Sequence, residues 1–177
     1  ASEVMRLAMI RLDKKLSEQK NSKSKMLLQI HDELIFEIPK KDENAMIKII
    51  GDVMLDSWIE GDCDRVSPEA PVIVLKEKTK DFNVGGAGNL ALNLSNLGTD
   101  TWLYGAVGKD IAGHKIIEIL LQNNISSRVC QDAEMTTTKT RMVGQNGQHL
   151  LRVDKELSYT KTTVEDELLK DLSLIHI

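Results

Sequence analysis

Cysteine is scarce in this sequence: Cys63 and Cys130 are the only two in 177 residues. Neither sits in a CxxC pair or beside a histidine at metal-ligand spacing, so a disulfide framework and a zinc cluster are excluded and free thiols remain. Free thiols fit a reducing compartment, and a cytoplasmic setting is the expectation. No apolar run approaches the ~20 residues that a membrane-crossing helix needs, and no signal-peptide pattern opens the chain. No membrane partner is expected. Positive charge is not in excess either. The 23 Lys and Arg against 27 Asp and Glu leave −4, which gives no general pull toward nucleic acid or an anionic membrane. A local basic cluster remains at Lys14, Lys15, Lys20, Lys23 and Lys25. Repeats and low-complexity segments are absent.

What is present reads as globular: 41% hydrophobic and 28% charged residues, in a length that suits one domain or a small piece plus one domain. Val4, Met5, Ala8, Met9, Leu12 and Leu16 predict a helix over 1–19. Two apolar runs, Met26 to Ile30 and Leu34 to Ile38, flank His31-Asp32-Glu33 and predict a tight β-hairpin. Pro39 ends it, and Asp42 is placed to cap a following helix. The stretch AMIKIIGDVMLD at 45–56 is ambiguous. Met46, Ile49, Ile50, Val53 and Met54 fit one helical face, whereas Ile47 to Ile50 before Gly51-Asp52 fits a buried strand and turn.

Beyond Gly51, strands and helices alternate. Strands are expected at Val72–Leu75 and Thr101–Val107, and helices at Ala87–Leu97 and Ala112–Gln122, the first stopped by Gly98. Thr137–Val143 and His149–Val153 flank an Asn-Gly turn, a strong hairpin signal. This alternation predicts α/β, with a mostly parallel sheet and a small β excursion. A helix over Val164–Leu172 precedes the apolar tail LSLIHI, which resembles translated adapter sequence; no function is assigned to His176. A first residue other than Met also suggests a fragment.

Adjacent carboxylates on a rigid hairpin tip suit a two-metal phosphoryl-transfer site, although a solvated acidic turn has the same spacing. SEVMRLAMIRLDKKL followed by KMLLQIHDELIFEIPK resembles the last palm segment of family A DNA polymerases. That resemblance implies Asp32 as a catalytic metal ligand, Glu33 as its carboxylate neighbour and His31 toward the primer end. It covers about the first 45 to 50 residues and supplies only one of the family's metal aspartates. One aspartate makes no working two-metal site, and polymerase activity is not expected.

Gly86-Ala87-Gly88-Asn89-Leu90-Ala91 fits GxGxxA. A dinucleotide site needs a hydrophobic strand immediately before it, and Lys78 to Asn83 (KTKDFN) is polar. No acidic residue ends the next strand, where a ribose ligand belongs. A structural Gly-Gly turn before a helix is the plain alternative. The longer pattern Gly85-Gly86-Ala87-Gly88-Asn89-Leu90-Ala91, Gly98, Gly108 resembles the N-terminal signature of ribokinase-like (PfkB) sugar kinases. GDVMLD at 51–56, GDCDRVSPEAPV at 61–72 and TTTKTRMVGQNGQHLLRVDKE at 136–156 are similar to members acting on heptose 7-phosphate. That resemblance implies ATP and Mg²⁺ as cofactors, a phosphorylated sugar as substrate, and sugar contacts at Asp56, Gly85, Gly86 and Asn89.

The residue types suit that role. A carboxylate accepts from hydroxyls, glycines admit close approach, and an amide both donates and accepts. Asp52 is a weaker candidate. Arg141 and Arg152 are candidates for the sugar phosphate, against a structural or solvated role. SPEAPV and the hairpin are candidates for a lid and homodimer surface. The family's base, anion hole and ATP pocket lie in its C-terminal half, so no kinase-catalytic residue is assigned and inactivity of this chain alone is expected.

The expected architecture is thus a partial ribokinase-like α/β fold with a small β lid, preceded by a helix and β-hairpin of polymerase-palm type. The expected pieces are 1–48, 49–160 and 161–177, with a seam between Asn44 and Gly51 where the strand wins. DNA contact is expected only through the first piece, whose hairpin is expected to be orphaned, and without the kinase's C-terminal half one edge of the parallel sheet is expected to be uncovered. A non-catalytic sugar-binding or dimerising domain is the remaining reading.

Overall fold

The computed structural model describes residues 25–30, 33–39 and 45–156, with Ile10 and Lys14 as isolated helical positions. His31, Asp32, Asp42 and the 161–177 segment lie outside the described residues, as does most of the expected N-terminal helix. The hairpin forms as β1 (Lys25–Ile30) and β2 (Glu33–Pro39), antiparallel with Ile30 opposite Glu33. AMIKII becomes β3 (Ala45–Ile50). The strand reading of the ambiguous stretch therefore holds, and the helix that Asp42 was placed to cap does not form over 45–50.

β3 decides the architecture. On one side it pairs in parallel with β6 (Asp100–Gly108), and β6 pairs in parallel with β7 (Ser126–Ala133). On the other side β3 pairs antiparallel with β2, from Leu34 opposite Ile50 to Pro39 opposite Ala45. One five-stranded sheet results, in the order β1-β2-β3-β6-β7. Among the described strands β7 keeps an open edge, whereas the hairpin is not orphaned: β2 pairs along the whole of β3. Ladder hydrogen bonds and apolar burial both favour this, because an open strand edge leaves unpaired backbone groups. Leu34, Ile35 and Phe36 are buried, Phe36 completely. β3 also buries Lys48, whose ammonium lies over the rings of Trp102 and Tyr104 at 5.9 and 5.4 Å. Such placement offsets part of the cost of burying a cation.

A second sheet, β5-β4-β8-β9, stands beside the first. β4 (Val53–Val66) and β5 (Ile73–Gly86) are 14-residue antiparallel partners, joined by a turn in which Ser67 N–H donates to Val72 O at 2.8 Å. SPEAPV is thus the turn at the tip rather than a strand. β8 (Thr138–Val143) runs parallel to β4, and β9 (His149–Lys155) returns antiparallel through the Asn-Gly turn. The polar KTKDFN stretch is strand, beyond the Val72–Leu75 run that the sequence predicts. Most of it is exposed, so its polarity does not conflict with strand structure in a sheet that faces water. The whole is mixed α/β, with parallel pairing at β3-β6-β7 in the larger sheet and at β4–β8 in the second.

Helix α1 (Ala87–Asn96) buries Ala87, Gly88, Ala91 and Leu92; α2 (Ile111–Gln122) buries Gly113, Ile116 and Leu120. Both stripes meet Ile49, Val53, Leu55, Val84, Leu103, Val107 and Ile125 in one core. That core holds the base of the lid strands against the larger sheet.

Candidate functional site

The sequence places four candidate sugar contacts on two distant stretches, and the fold sets Asp56 against Gly85, with Gly86 and Asn89 following at the start of α1. β-register sets Met54 opposite Gly85 and Asp56 opposite Asn83. Asp56 lies within β4, because β3 stops at Ile50 and a new strand starts at Val53. A Cβ on Gly85 would collide with Oδ2 of Asp56, so only glycine lets the carboxylate lie against the backbone at this turn. Gly86 caps α1 with φ 59° and ψ −135°, a conformation that side chains other than glycine's rarely adopt. A Cβ there would also strike the carbonyl of Asp52, which accepts from Ala87 N–H at 3.0 Å. Asn89 is exposed in the first turn of α1.

Asp56 has a partner that no local pattern announces. Arg141 Nη1 donates to Asp56 Oδ1 at 2.6 Å, across 85 residues of sequence. The Arg141 guanidinium lies 4.9 Å from the centre of the Trp58 ring. Both charged side chains are mostly buried, at 23% and 18% exposure. Asp56, Trp58, Asn83, Asp81, Lys139 and Arg141 are register neighbours on one face of the second sheet. Arg152 belongs to the same face but bonds Asp154, with Nη2 2.9 Å from Oδ2. Arg141 therefore serves a structural pair here, and Arg152 a surface one.

Sequence reasoning missed Asp110. It caps α2, accepting from Gly113 N–H at 2.8 Å, and receives the Thr136 hydroxyl at 2.6 Å and Thr136 N–H at 2.8 Å. Gly108 N–H donates in turn to Thr136 Oγ1 at 2.9 Å. Burial opposes the charge of Asp110, but the hydrogen bonds from Thr136 and Gly113 outweigh it and hold the carboxyl below its ordinary value. Aspartate immediately before a helical apolar pattern was the available signal.

The metal candidates divide. Asp32 and His31 are outside the described residues. Glu33 opens β2, half-buried, and its Cγ would lie 2.8 Å from a Cβ on Gly51. Among the described residues no group of three or more His, Cys, Asp or Glu converges on a cation position. Cys63 is a free thiol; the Cys130 side chain is outside the described residues. A cleft of about 240 Å³ lies elsewhere, at the far end of the second sheet, where Asp62 accepts from Lys78 and Gln145. No described helix is long and apolar enough to cross a membrane.

Comparison with known proteins fits this geometry. Residues 44–177 match the model of the pfkB family carbohydrate kinases. The chain belongs to that family. The D-beta-D-heptose 7-phosphate kinase of Bordetella bronchiseptica is 42% identical over 113 residues, 63% of this chain and 36% of that protein. The bifunctional protein HldE of Actinobacillus pleuropneumoniae is 37% identical over 131 residues, 73% of this chain and 27% of that protein. This pfkB-family chain thus spans about a third of the length of the curated relatives it matches.

Among solved structures, the microbiome-derived acarbose kinase Mak1 matches with a TM-score of 0.52 at 19% identity, over 68% of this chain and 41% of that one. A sugar-kinase structure from Clostridium perfringens gives 0.54 at 18% identity, over 74% and 41%. Both likenesses concern the fold. The resemblance of the first segment has its own match: residues 1–62 fit the family A DNA polymerase model. The two family matches overlap over 44–62, across β3 and the start of β4.

Proposed function

We propose that this chain carries the sugar-binding N-terminal portion of a kinase that transfers the γ-phosphate of ATP to heptose 7-phosphate, in the supply of ADP-heptose for lipopolysaccharide. The observation that carries the reading is Asp56 lying against the Cβ-less Gly85 at the start of α1. Asp56 accepts from sugar hydroxyls, Gly85 and Gly86 admit the ring close to the backbone, and Asn89 donates and accepts one turn on. The pieces in this reading are residues 1–48 of polymerase type, 49–160 of kinase type and a 161–177 tail, in a cytoplasmic protein.

Mg²⁺ carried by ATP needs only one or two carboxylates beside the phosphates and its own waters, and among the described residues no group of three or more His, Cys, Asp or Glu gathers at one cation position. Transfer of phosphate depends on positioning and charge stabilisation around the phosphoryl group. The 177-residue polypeptide alone is proposed to bind the sugar without turning it over. Exposed Phe82, Leu151 and Val153 on the second sheet support a homodimer through that surface.

Calorimetric titration with heptose 7-phosphate, beside an assay of ATP-dependent phosphorylation, tests this. Saturable binding that Asp56→Asn weakens at least about tenfold is expected, with turnover at the level of a buffer blank. No binding would contradict the site, and turnover would contradict the inactivity. The match of residues 1–62 to family A polymerases favours a second reading, a DNA-binding module. DNA affinity that falls steeply with salt would support it.

A further inference from the structure

We infer that Arg141 is the positioning residue of the Asp56 site: it turns the carboxylate so that one oxygen is held and the other faces the glycine turn. The inference rests on the sugar-site reading above and adds the device that aims its acceptor. The two oxygens of Asp56 have different surroundings. Oδ1 accepts from Arg141 Nη1 at 2.6 Å, and Oδ2 is the oxygen that a Cβ on Gly85 would meet first. A carboxylate free to rotate would offer either oxygen to a sugar hydroxyl, at the entropic cost of ordering it on binding. Held by Arg141, Asp56 presents Oδ2 at the turn beforehand.

Arg141 is itself braced. Its guanidinium lies 4.9 Å from the Trp58 ring centre, and Trp58 stands directly beside it in the parallel β4–β8 register. One residue along the same two strands, on the opposite face of the sheet, the Ser57 hydroxyl donates to Thr140 Oγ1 at 2.9 Å and ties β8 to β4. Face stacking of a guanidinium leaves its edge donors free to bond in plane. The Trp58–Arg141–Asp56 chain therefore runs from the body of the second sheet to the turn that starts α1. The bond is short, charge-assisted and mostly buried, the setting in which such bonds are strongest.

The test uses the full chain with Arg141→Met, Arg141→Lys, Asp56→Asn and the Arg141→Met/Asp56→Asn double variant. Affinity for heptose 7-phosphate and for the unphosphorylated heptose is measured by calorimetry, and near-ultraviolet circular dichroism checks the fold. If Arg141 acts through Asp56, Arg141→Met weakens both sugars by a similar factor, about tenfold. Arg141→Lys then recovers part of the loss, and Arg141→Met adds nothing once Asp56 is Asn. A loss confined to the phosphorylated sugar overturns the inference, because Arg141 would then touch the phosphate itself. Additive losses in the double variant overturn it as well. If Arg141→Met unfolds the chain, the Lys variant decides: a partial loss of similar size for both sugars supports positioning through Asp56, and unchanged affinity or a loss confined to the phosphorylated sugar overturns it. Binding of neither sugar by the unaltered chain defeats the sugar-site reading first, and this inference with it.

Discussion

Phe36 offers the sharpest perturbation of the fold, because it belongs to the hairpin and is completely buried. It lies opposite Lys48 of β3, and Lys48 lies opposite Trp102 of β6, so one row crosses three strands. Phe36→Ala removes a buried ring with no exposed remainder, a change worth about 3–5 kcal/mol in a well-packed interior. That is a large share of the roughly 5–15 kcal/mol that stabilises a typical domain. If β1–β2 and the kinase-type core open as one unit, the whole loss reaches β6. Native-state hydrogen exchange then shows the β6 amides of Leu103 and Tyr104 speeding up together with those of β2, by roughly two to almost four decades. If the hairpin is an appended module, β2 amides exchange early in the parent and Phe36→Ala leaves β6 protection unchanged. That second pattern would refute the claim that the polymerase-like segment has been built into the kinase-type sheet.

Two further predictions concern the turns. Asp110→Asn keeps a good helix cap but removes the charge that Thr136 and Gly113 stabilise. Because the folded carboxyl sits below its ordinary value of 3.8, its stability contribution is present above about pH 4 and fades as pH falls through the lower folded value. Urea midpoints should therefore differ between parent and variant at pH 7 and draw together as pH falls below the ordinary carboxylate range. A gap that persists unchanged would contradict the assignment. Gly85→Ala should weaken heptose 7-phosphate binding at least about tenfold by displacing the Asp56 carboxylate, with an overpacking cost of about 1–3 kcal/mol in thermal unfolding. Undiminished binding would show that the carboxylate does not need that space.

Much of the fold was legible. The hairpin, both helices, β6 and the β8–β9 pair follow from apolar spacing and turn chemistry, which act locally. The misses share a cause. β4 carries SWIEGDCDRV and β5 carries KTKDFN, and their outer parts face water on a sheet that projects beyond the core. Polar side chains are tolerated there, so the apolar signal fades. β7, SSRVCQDA, pairs only with β6 among the described strands, and such an edge position tolerates polar side chains although Val129 packs on the core. The integration of the hairpin was invisible for a different reason. Local patterning gives strands, but it does not say which strand finds which partner, and β3 offered β2 a complete ladder.

The site divides along the same line. The glycine turn and Asp56 can be read from motif spacing, because close backbone approach and hydroxyl recognition need those residue types. The Arg141–Asp56 bond joins positions 85 apart, and only the parallel β4–β8 register brings them side by side. Asp110 was readable as a cap, whereas its bond to Thr136 depends on where the β7–β8 connection returns.

The central claim is that Asp56, Gly85, Gly86 and Asn89 form one sugar site at the start of α1. Hydrogen exchange of the full chain with and without saturating heptose 7-phosphate tests it most directly, because it locates the ligand without requiring turnover. The account predicts slowed exchange at the amides of 85–89 and around Asp56, with the far cleft at Asp62, Lys78 and Gln145 unchanged. Binding that protects the far cleft and leaves 85–89 untouched would contradict it.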